Sequence, residues 1–378
     1  MIIWYNIKYL NIVEGKDVSM TSNERIKAAL EGKEIDRMPW SPFLAYVWEN
    51  FPQDIQDKGM SEFLLWAGAD PMWRGSPCPV EAVTEKVTYR EESVSSIETR
   101  FYTETPVGTL THTNLKSSKG NTSFIFEHPV KNIEDLKIQQ WIAEHTTLKM
   151  NLSYVDEHFK NDGKNGLSIG MLTPFNKTAF QSLVEYYIGT EELIYMMMDY
   201  PEEIDEYLKI QVELGLSAVK IAKESPYEYF LTWEDSSTGN YSPSLYEKYI
   251  APEIKGYCDI LKTEDKKYVQ HACGLLNDIL GIMTDSGIYC VESLSSKPTG
   301  NTSVTDARKL TDDKIAIIGG IEPVHFLETS EEDLPAYVHS VLEEAKGSRF
   351  VLANSDSCPP GVSPEKFRIV GDIVRGLK

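Results

Sequence analysis

The chain has 378 residues, 41% of them hydrophobic and 25% charged, enough to bury a sizeable core as two average domains or as one large barrel with insertions. A formal charge of −21, relieved by no basic run, would repel phosphate backbones and anionic lipid, which excludes nucleic acid and the membrane surface as natural partners. Five cysteines, at positions 78, 258, 273, 290 and 358, are too few and too scattered for a disulfide scaffold, so a reducing cytoplasm is expected and the thiols stay available for metal.

The opening MIIWYNIKYLNIV carries Lys8 inside its apolar run and has neither a basic first region nor a small-residue cleavage site, so it does not read as a signal peptide. A helix-start pattern, Thr21-Ser22-Asn23-Glu24, directly follows Met20, and residues 1–19 are taken as an N-terminal extension. Beyond it, short apolar runs alternate with longer amphipathic stretches, the pattern of βα units on a parallel sheet. Eight such runs are expected as strands: Met38–Leu44, Ala69–Trp73, Leu167–Leu172, Tyr229–Glu234, Tyr268–His271, Ile288–Ser293, Ile315–Ile321 and Phe350–Asn354. Helices are expected over Glu191–Glu224, Pro243–Leu261, Leu275–Ser286, Ser303–Leu310, Glu331–Lys346 and Pro364–Leu377. The fold class is therefore α/β, a (β/α)8 TIM-type barrel whose chemistry sits where strands end and βα loops begin. From about 83 to 130 the alternation gives way to short strands with turn signals at Thr105-Pro106-Val107-Gly108 and Lys119-Gly120-Asn121, an antiparallel β-hairpin insertion after the second strand. With no repeat or Gly/Ser/Pro-rich linker, residues 20–378 are read as a single barrel domain.

The sharpest local feature is the run Tyr268-Val269-Gln270-His271-Ala272-Cys273-Gly274. Residues two apart on an extended segment face the same side, so a His271 ring nitrogen and Cys273 Sγ can reach one ion. Cys358, on the loop after the last expected strand, would emerge at the same rim. Three soft ligands would hold Zn²⁺ and leave its fourth position for substrate, as catalytic zinc sites do. The same spacing also describes a packed histidine beside a small buried thiol. Carboxylates gather at strand ends too, Glu234 and Asp235 after the fourth and Glu292 after the sixth. They can orient a ligand, handle a proton or, for Glu292, fill the fourth zinc position until substrate displaces it; equally they can cap helices. Aromatic residues crowd the first two units, and Tyr46 and Trp48, just past a strand end, are candidate walls for a flat substrate.

Over nearly the whole length from Met20, the sequence resembles the uroporphyrinogen decarboxylase superfamily, and within it the corrinoid-dependent methyltransferase branch. The likeness rests on residues 23–39 (NERIKAALEGKEIDRMP), Glu234-Asp235 with Ser242-Pro243, His271-Ala272-Cys273-Gly274, Val291-Glu292-Ser293-Leu294, Gly319-Gly320-Ile321 and Ser355-Asp356 with Pro359-Pro360-Gly361-Val362. The resemblance implies a zinc site of His-x-Cys plus a distant Cys, which maps onto His271, Cys273 and Cys358. It implies as well a partner corrinoid-binding protein that carries the corrinoid. The decarboxylases place an arginine-containing segment after the first strand for a propionate-rich substrate, whereas residues 40–73 here contain no arginine. The expected reaction is zinc-assisted methyl transfer from a small methylated substrate, a methoxylated aromatic in the first instance, to Co(I) of the corrinoid protein. The alternatives are methylcorrinoid:thiol transfer to a coenzyme M-like acceptor, porphyrinogen decarboxylation and a non-catalytic subunit of a corrinoid complex.

Overall fold

The computed structural model describes residues 19–117 and 122–377. Most of the N-terminal extension and the Lys119-Gly120-Asn121 turn lie outside the described residues. Thirteen strands are formed among them: β1 Met72–Ser76, β2 Val80–Thr84, β3 Thr88–Ser93, β4 Glu98–Thr105, β5 Gly108–Lys116, β6 Ser123–Glu127, β7 Thr146–Met150, β8 Leu167–Met171, β9 Tyr229–Thr232, β10 Lys267–His271, β11 Cys290–Leu294, β12 Ala316–Ile321 and β13 Phe350–Asn354. Seven follow one another in one sheet in the order β1-β8-β9-β10-β11-β12-β13, and the β10–β11, β11–β12 and β12–β13 ladders are parallel. The fold is α/β and of the TIM-barrel type, as the sequence pattern predicts.

The residues fall into two compact units, one drawn from Met1–Arg74, His158–Ile169 and Val269–Lys378, the other from Gly75–Glu157 and Gly170–Tyr268. In the first, β11 and β13 are buried from end to end, which is why they read as unbroken apolar runs rather than as alternation. The expected first strand, Met38–Leu44, makes only a parallel bridge, Trp40 to Leu352. Pro39 and Pro42 have no N–H to give a ladder, so the segment is held otherwise. Leu352 N–H donates to Pro39 O, Ser41 N–H to Leu352 O and Asp70 N–H to Trp40 O, while the Asn354 side-chain amide takes over at Phe43. The helix Ser22–Leu30 starts with a full capping box between Thr21 and Glu24. Its Arg25, with Arg37, is tied to Asp36 and the fully buried Asp70.

In the second unit the insertion is a four-stranded antiparallel sheet, β3-β4-β5-β6, and β2 pairs antiparallel with β7. The expected turn is present, with Thr105 opposite Gly108 across the loop Pro106-Val107. The expected helix Glu191–Glu224 is two helices, Thr190–Asp199 and Pro201–Ala222, because Pro201 cannot donate to the preceding turn and serves instead as an N-terminal residue. No helix among the described residues is long and apolar enough to cross a membrane.

Candidate functional site

In the first unit the parallel register of β10 on β11 sets His271 directly opposite Glu292, both at the C-terminal ends of their strands. Ala272 N–H continues the ladder to Glu292 O at 2.9 Å. Side chains at paired positions on neighbouring strands point to the same side, so the imidazole and the carboxylate meet: His271 Nδ1 lies 2.5 Å from Glu292 Oε2. Ser293, held at φ 73° by the bulge between Glu292 and Leu294, donates its hydroxyl to the same oxygen at 3.1 Å. The other oxygen, Oε1, stands 2.8 Å from Nε of Arg74 on β1, an ion pair whose N–H is not aimed along the contact. Both partners are enclosed, at 1% and 0% side-chain exposure. Burial works to raise the Glu292 carboxyl, but His271 and Arg74 outweigh it and hold it below the ordinary glutamate value.

With Nδ1 bonded to a carboxylate, Nε2 is the ring nitrogen on the far side from Glu292. That carboxylate–histidine arrangement orients an imidazole for a metal. One of its ring nitrogens and Cys273 Sγ lie within 4.8 Å of each other, so the two residues just past the strand end can share one ion. The Cys358 thiol is in no group of three donor atoms within 4.8 Å of one another that includes His271 and Cys273, among the described residues. It is buried on a loop clamped to the segment after Trp40, where Cys358 N–H donates to Phe43 O at 3.0 Å. The Asn354 amide brackets both backbone groups of Phe43, and Ser357 Oγ receives Tyr46 N–H at 2.8 Å. Burial pushes the Cys358 thiol well up, opposed by Lys366.

The second unit holds Glu234 and Asp235. Glu234 is fully buried, and its two oxygens accept from the backbone N–H and the hydroxyl of Thr178, each at 2.8 Å. Burial raises its carboxyl despite those bonds. Thr178, which Glu234 holds, is the residue before the helix Ala179–Ser182. Asp235, in the left-handed region at φ 44°, pairs with Lys177, whose ammonium also meets Glu185 Oε2 at 2.8 Å and donates to Trp233 O. Lys177 is 3% exposed. Burial acts against its charge, but Asp235, Glu185 and Tyr186 prevail and hold it above the ordinary lysine range. Glu185 lies in a π-helical turn, Leu183–Tyr187. Nearby, buried Glu253 accepts from Ala179 N–H at 2.9 Å and from the Tyr257 hydroxyl, and burial pushes its carboxyl up to about 8.

Glu253 yields a direct prediction. A carboxylate raised in the folded state contributes stability that is present below its unfolded value of about 4.3 and lost as the pH rises through the folded value. Wild-type stability is therefore expected to fall between about pH 4.5 and 8 by roughly 3–5 kcal/mol on account of this group, and Glu253→Gln to remove that slope. Urea unfolding of both proteins across that range checks it; an unchanged slope in the variant sinks the assignment.

Residues 169–377, more than half of the chain, match the family model described as uroporphyrinogen decarboxylase (URO-D). The chain belongs to the uroporphyrinogen decarboxylase family. Among curated relatives it is 25% identical over 256 residues to the methylcobamide:CoM methyltransferase MtbA of Methanosarcina mazei, covering 64% of this chain and 69% of that protein. It is 25% identical over 238 residues to the MtbA of Methanosarcina acetivorans, covering 59% of this chain and 63% of that protein. Among solved structures, a methyltransferase from Methanosarcina mazei superposes with a TM-score of 0.60 at 13% identity, over 95% of this chain and 99% of that one, which shows the shared fold. The likeness to the methyltransferase branch drawn from the motifs thus meets relatives that carry that branch's name.

Other observations complete the picture of these residues and add some that the sequence does not signal. Arg74 falls one residue past the stretch that lacks arginine, and it is spent on Glu292 and on Ser41 O at 3.0 Å, so it is not a docking cation for a propionate. Lys177 and Glu185 were not singled out, since a lone lysine and a glutamate 58 and 50 residues before Asp235 carry no local signature. Trp48 is packed edge-on against Phe51 and Phe63, with ring centroids 5.9 Å away in both cases, whereas Tyr46 is 50% exposed. An apolar cavity lined by Ile55, Lys58, Glu62, Phe63 and Trp66 shares no residue with His271, Cys273 or Glu292.

Proposed function

We propose that this chain is a zinc- and corrinoid-dependent methyltransferase that moves a methyl group from a methylated corrinoid protein to a small thiol. The observation that carries the reading is the His271–Cys273 pair, with Nδ1 of His271 held by the buried Glu292 carboxylate, in a chain whose relatives are methylcobamide:CoM methyltransferases. The donor set is imidazole and thiolate, which suits zinc and not magnesium or calcium. His271 through Nε2 and Cys273 through Sγ would hold the ion, with Cys358 as the third ligand. Zinc bound there supplies Lewis acidity that lowers the pKa of a thiol and presents it as thiolate at neutral pH.

The chain's own groups divide the remaining work. Glu292 keeps the imidazole in one tautomer and one orientation. Burial excludes water from the His271 side, which strengthens every charge interaction there. Methyl transfer then balances simply: the thiolate sulfur forms the S–CH3 bond, the Co–C bond of the methylcorrinoid substrate breaks, its electron pair stays on cobalt as Co(I), and the thiol proton leaves to solvent.

A methoxylated aromatic donor, the first expectation from the sequence, rested on the aromatic residues of the first units and on a likeness to demethylase-type members around Glu292 and Pro359-Pro360. Trp48 is packed on the Phe51 and Phe63 rings, and the relatives' names favour the thiol direction. The test is spectroscopic. Methylated corrinoid protein mixed with this chain and a small thiol is expected to lose the methyl-Co(III) absorbance and gain that of Co(I). Reduced corrinoid protein with methoxyaromatics is expected to stay Co(I). The reverse pattern overturns the direction, and silence with every donor and thiol leaves only a non-catalytic role.

A further inference from the structure

Arg74 has no function in what precedes, yet its placement is unusual. Its guanidinium is buried at 1% side-chain exposure, sits 5.5 Å from the centroid of the Phe43 ring and, among the described residues, meets one carboxylate, that of Glu292. One of its terminal nitrogens, Nη1, is buried without a hydrogen-bond partner among the described residues. Burying an arginine costs several kcal/mol unless charge partners repay it, and a core that wanted only packing would be better served by an apolar side chain. A charge kept at that cost next to a strand-end histidine is better explained by what it does to the histidine's partner.

Glu292 has two competing places to be. Its carboxylate can turn towards an ion held by His271 and Cys273, or stay on the far side of the imidazole. The structure shows the second: Oε2 is taken by His271 Nδ1 and Ser293 Oγ, and Oε1 by Arg74. Among the described residues, Arg74 is the charged group paired with Oε1.

We propose that Arg74 is a positioning residue that holds Glu292 on His271 Nδ1 and would thereby fix the imidazole for zinc. The inference rests on the zinc reading above. Arg74 need not touch substrate or metal; it acts through Glu292.

The test is zinc affinity of the full chain, measured by competition with a chromophoric chelator, together with the visible spectrum of the cobalt(II)-substituted protein. Arg74→Met is expected to weaken zinc about 10–100-fold and to alter the cobalt bands, and Arg74→Lys to recover part of both. In a Glu292→Gln background Arg74→Met is expected to add nothing further, because the residue through which it acts is already gone. Should Arg74→Met alone not fold, the double variant, which removes both buried charges together, and Arg74→Lys carry the test. Wild-type zinc affinity and cobalt spectrum in Arg74→Met, or an equal loss with and without the Glu292 carboxylate, overturns the inference and leaves the zinc reading standing. A wild-type chain that takes up no zinc overturns both.

Discussion

Replacing Cys273 by Ser is expected to strip the chain of zinc and to abolish methyl transfer. Zinc held in small protein sites is bound by about 10–16 kcal/mol over four ligands, so one thiolate is worth roughly 3–4 kcal/mol, a loss of about 10²–10³ in affinity. Dialysed wild-type protein is expected to retain about one zinc per chain, as an open three-ligand site does, and the variant almost none. The rate should fall at least as far as the zinc occupancy, because the thiol then keeps its proton at neutral pH. Cys258→Ser, on the helix Ala251–Lys262, is the control and should change neither quantity. Cys358→Ser decides the third ligand: loss of zinc as complete as in Cys273→Ser assigns Cys358 to the ion, and full retention removes it from the site. A metal-free chain with full activity sinks the zinc mechanism altogether.

Lys177→Met is expected to be the most destabilising single change in the second unit. The ammonium is the common partner of Asp235 and Glu185, and removing it leaves two carboxylates, 36% and 26% exposed, facing each other without a cation. Breaking such a half-buried pair from one side, with solvent screening part of the charge, costs about 1–3 kcal/mol at neutral pH. The sign of the pH dependence follows from Glu185, whose carboxyl is raised by burial, partly offset by Lys177. Without Lys177 that offset is gone, the carboxyl rises further, and the folded state takes up a proton that the unfolded chain does not. Stability of the variant should therefore be nearest to wild type at about pH 5 and fall away as the pH rises towards 8. Chemical unfolding at those two values checks this, and an equal deficit at both would show that the lysine's stem, and not its charge, was what mattered.

Much of the fold could be read from the order of residues, because its cause is local. Buried parallel strands need unbroken apolar runs, and Cys290–Leu294 and Phe350–Asn354 announce themselves in that way. Where a local rule was overlooked, the error was local too. Pro201 splits a helix that periodicity alone would have continued, and Pro39 and Pro42 reduce a strand to a bridge. The insertion was visible as alternation and turns, whereas its pairing as four strands, β3-β4-β5-β6, belongs to the assembled sheet.

The site divides along the same line. His271 and Cys273 are two residues apart, and extended geometry alone puts them on one side. Which strand lies next to theirs, and in what register, is set by packing of the whole sheet, so the contact of Glu292 with His271 Nδ1 has no signature in the sequence and comes from the ladder of β10 on β11. Arg74, about 200 residues before its partner, and Lys177, which gathers Glu185 and Asp235, carry no spacing signal; each is a charge whose meaning comes only from what is buried beside it. The sequence by itself thus determined the α/β barrel class and the imidazole–thiol pair at the end of β10, since period and spacing fix both. The partners of that pair were decided only by tertiary structure, because register and burial are properties of the assembled sheet and not of any segment within it.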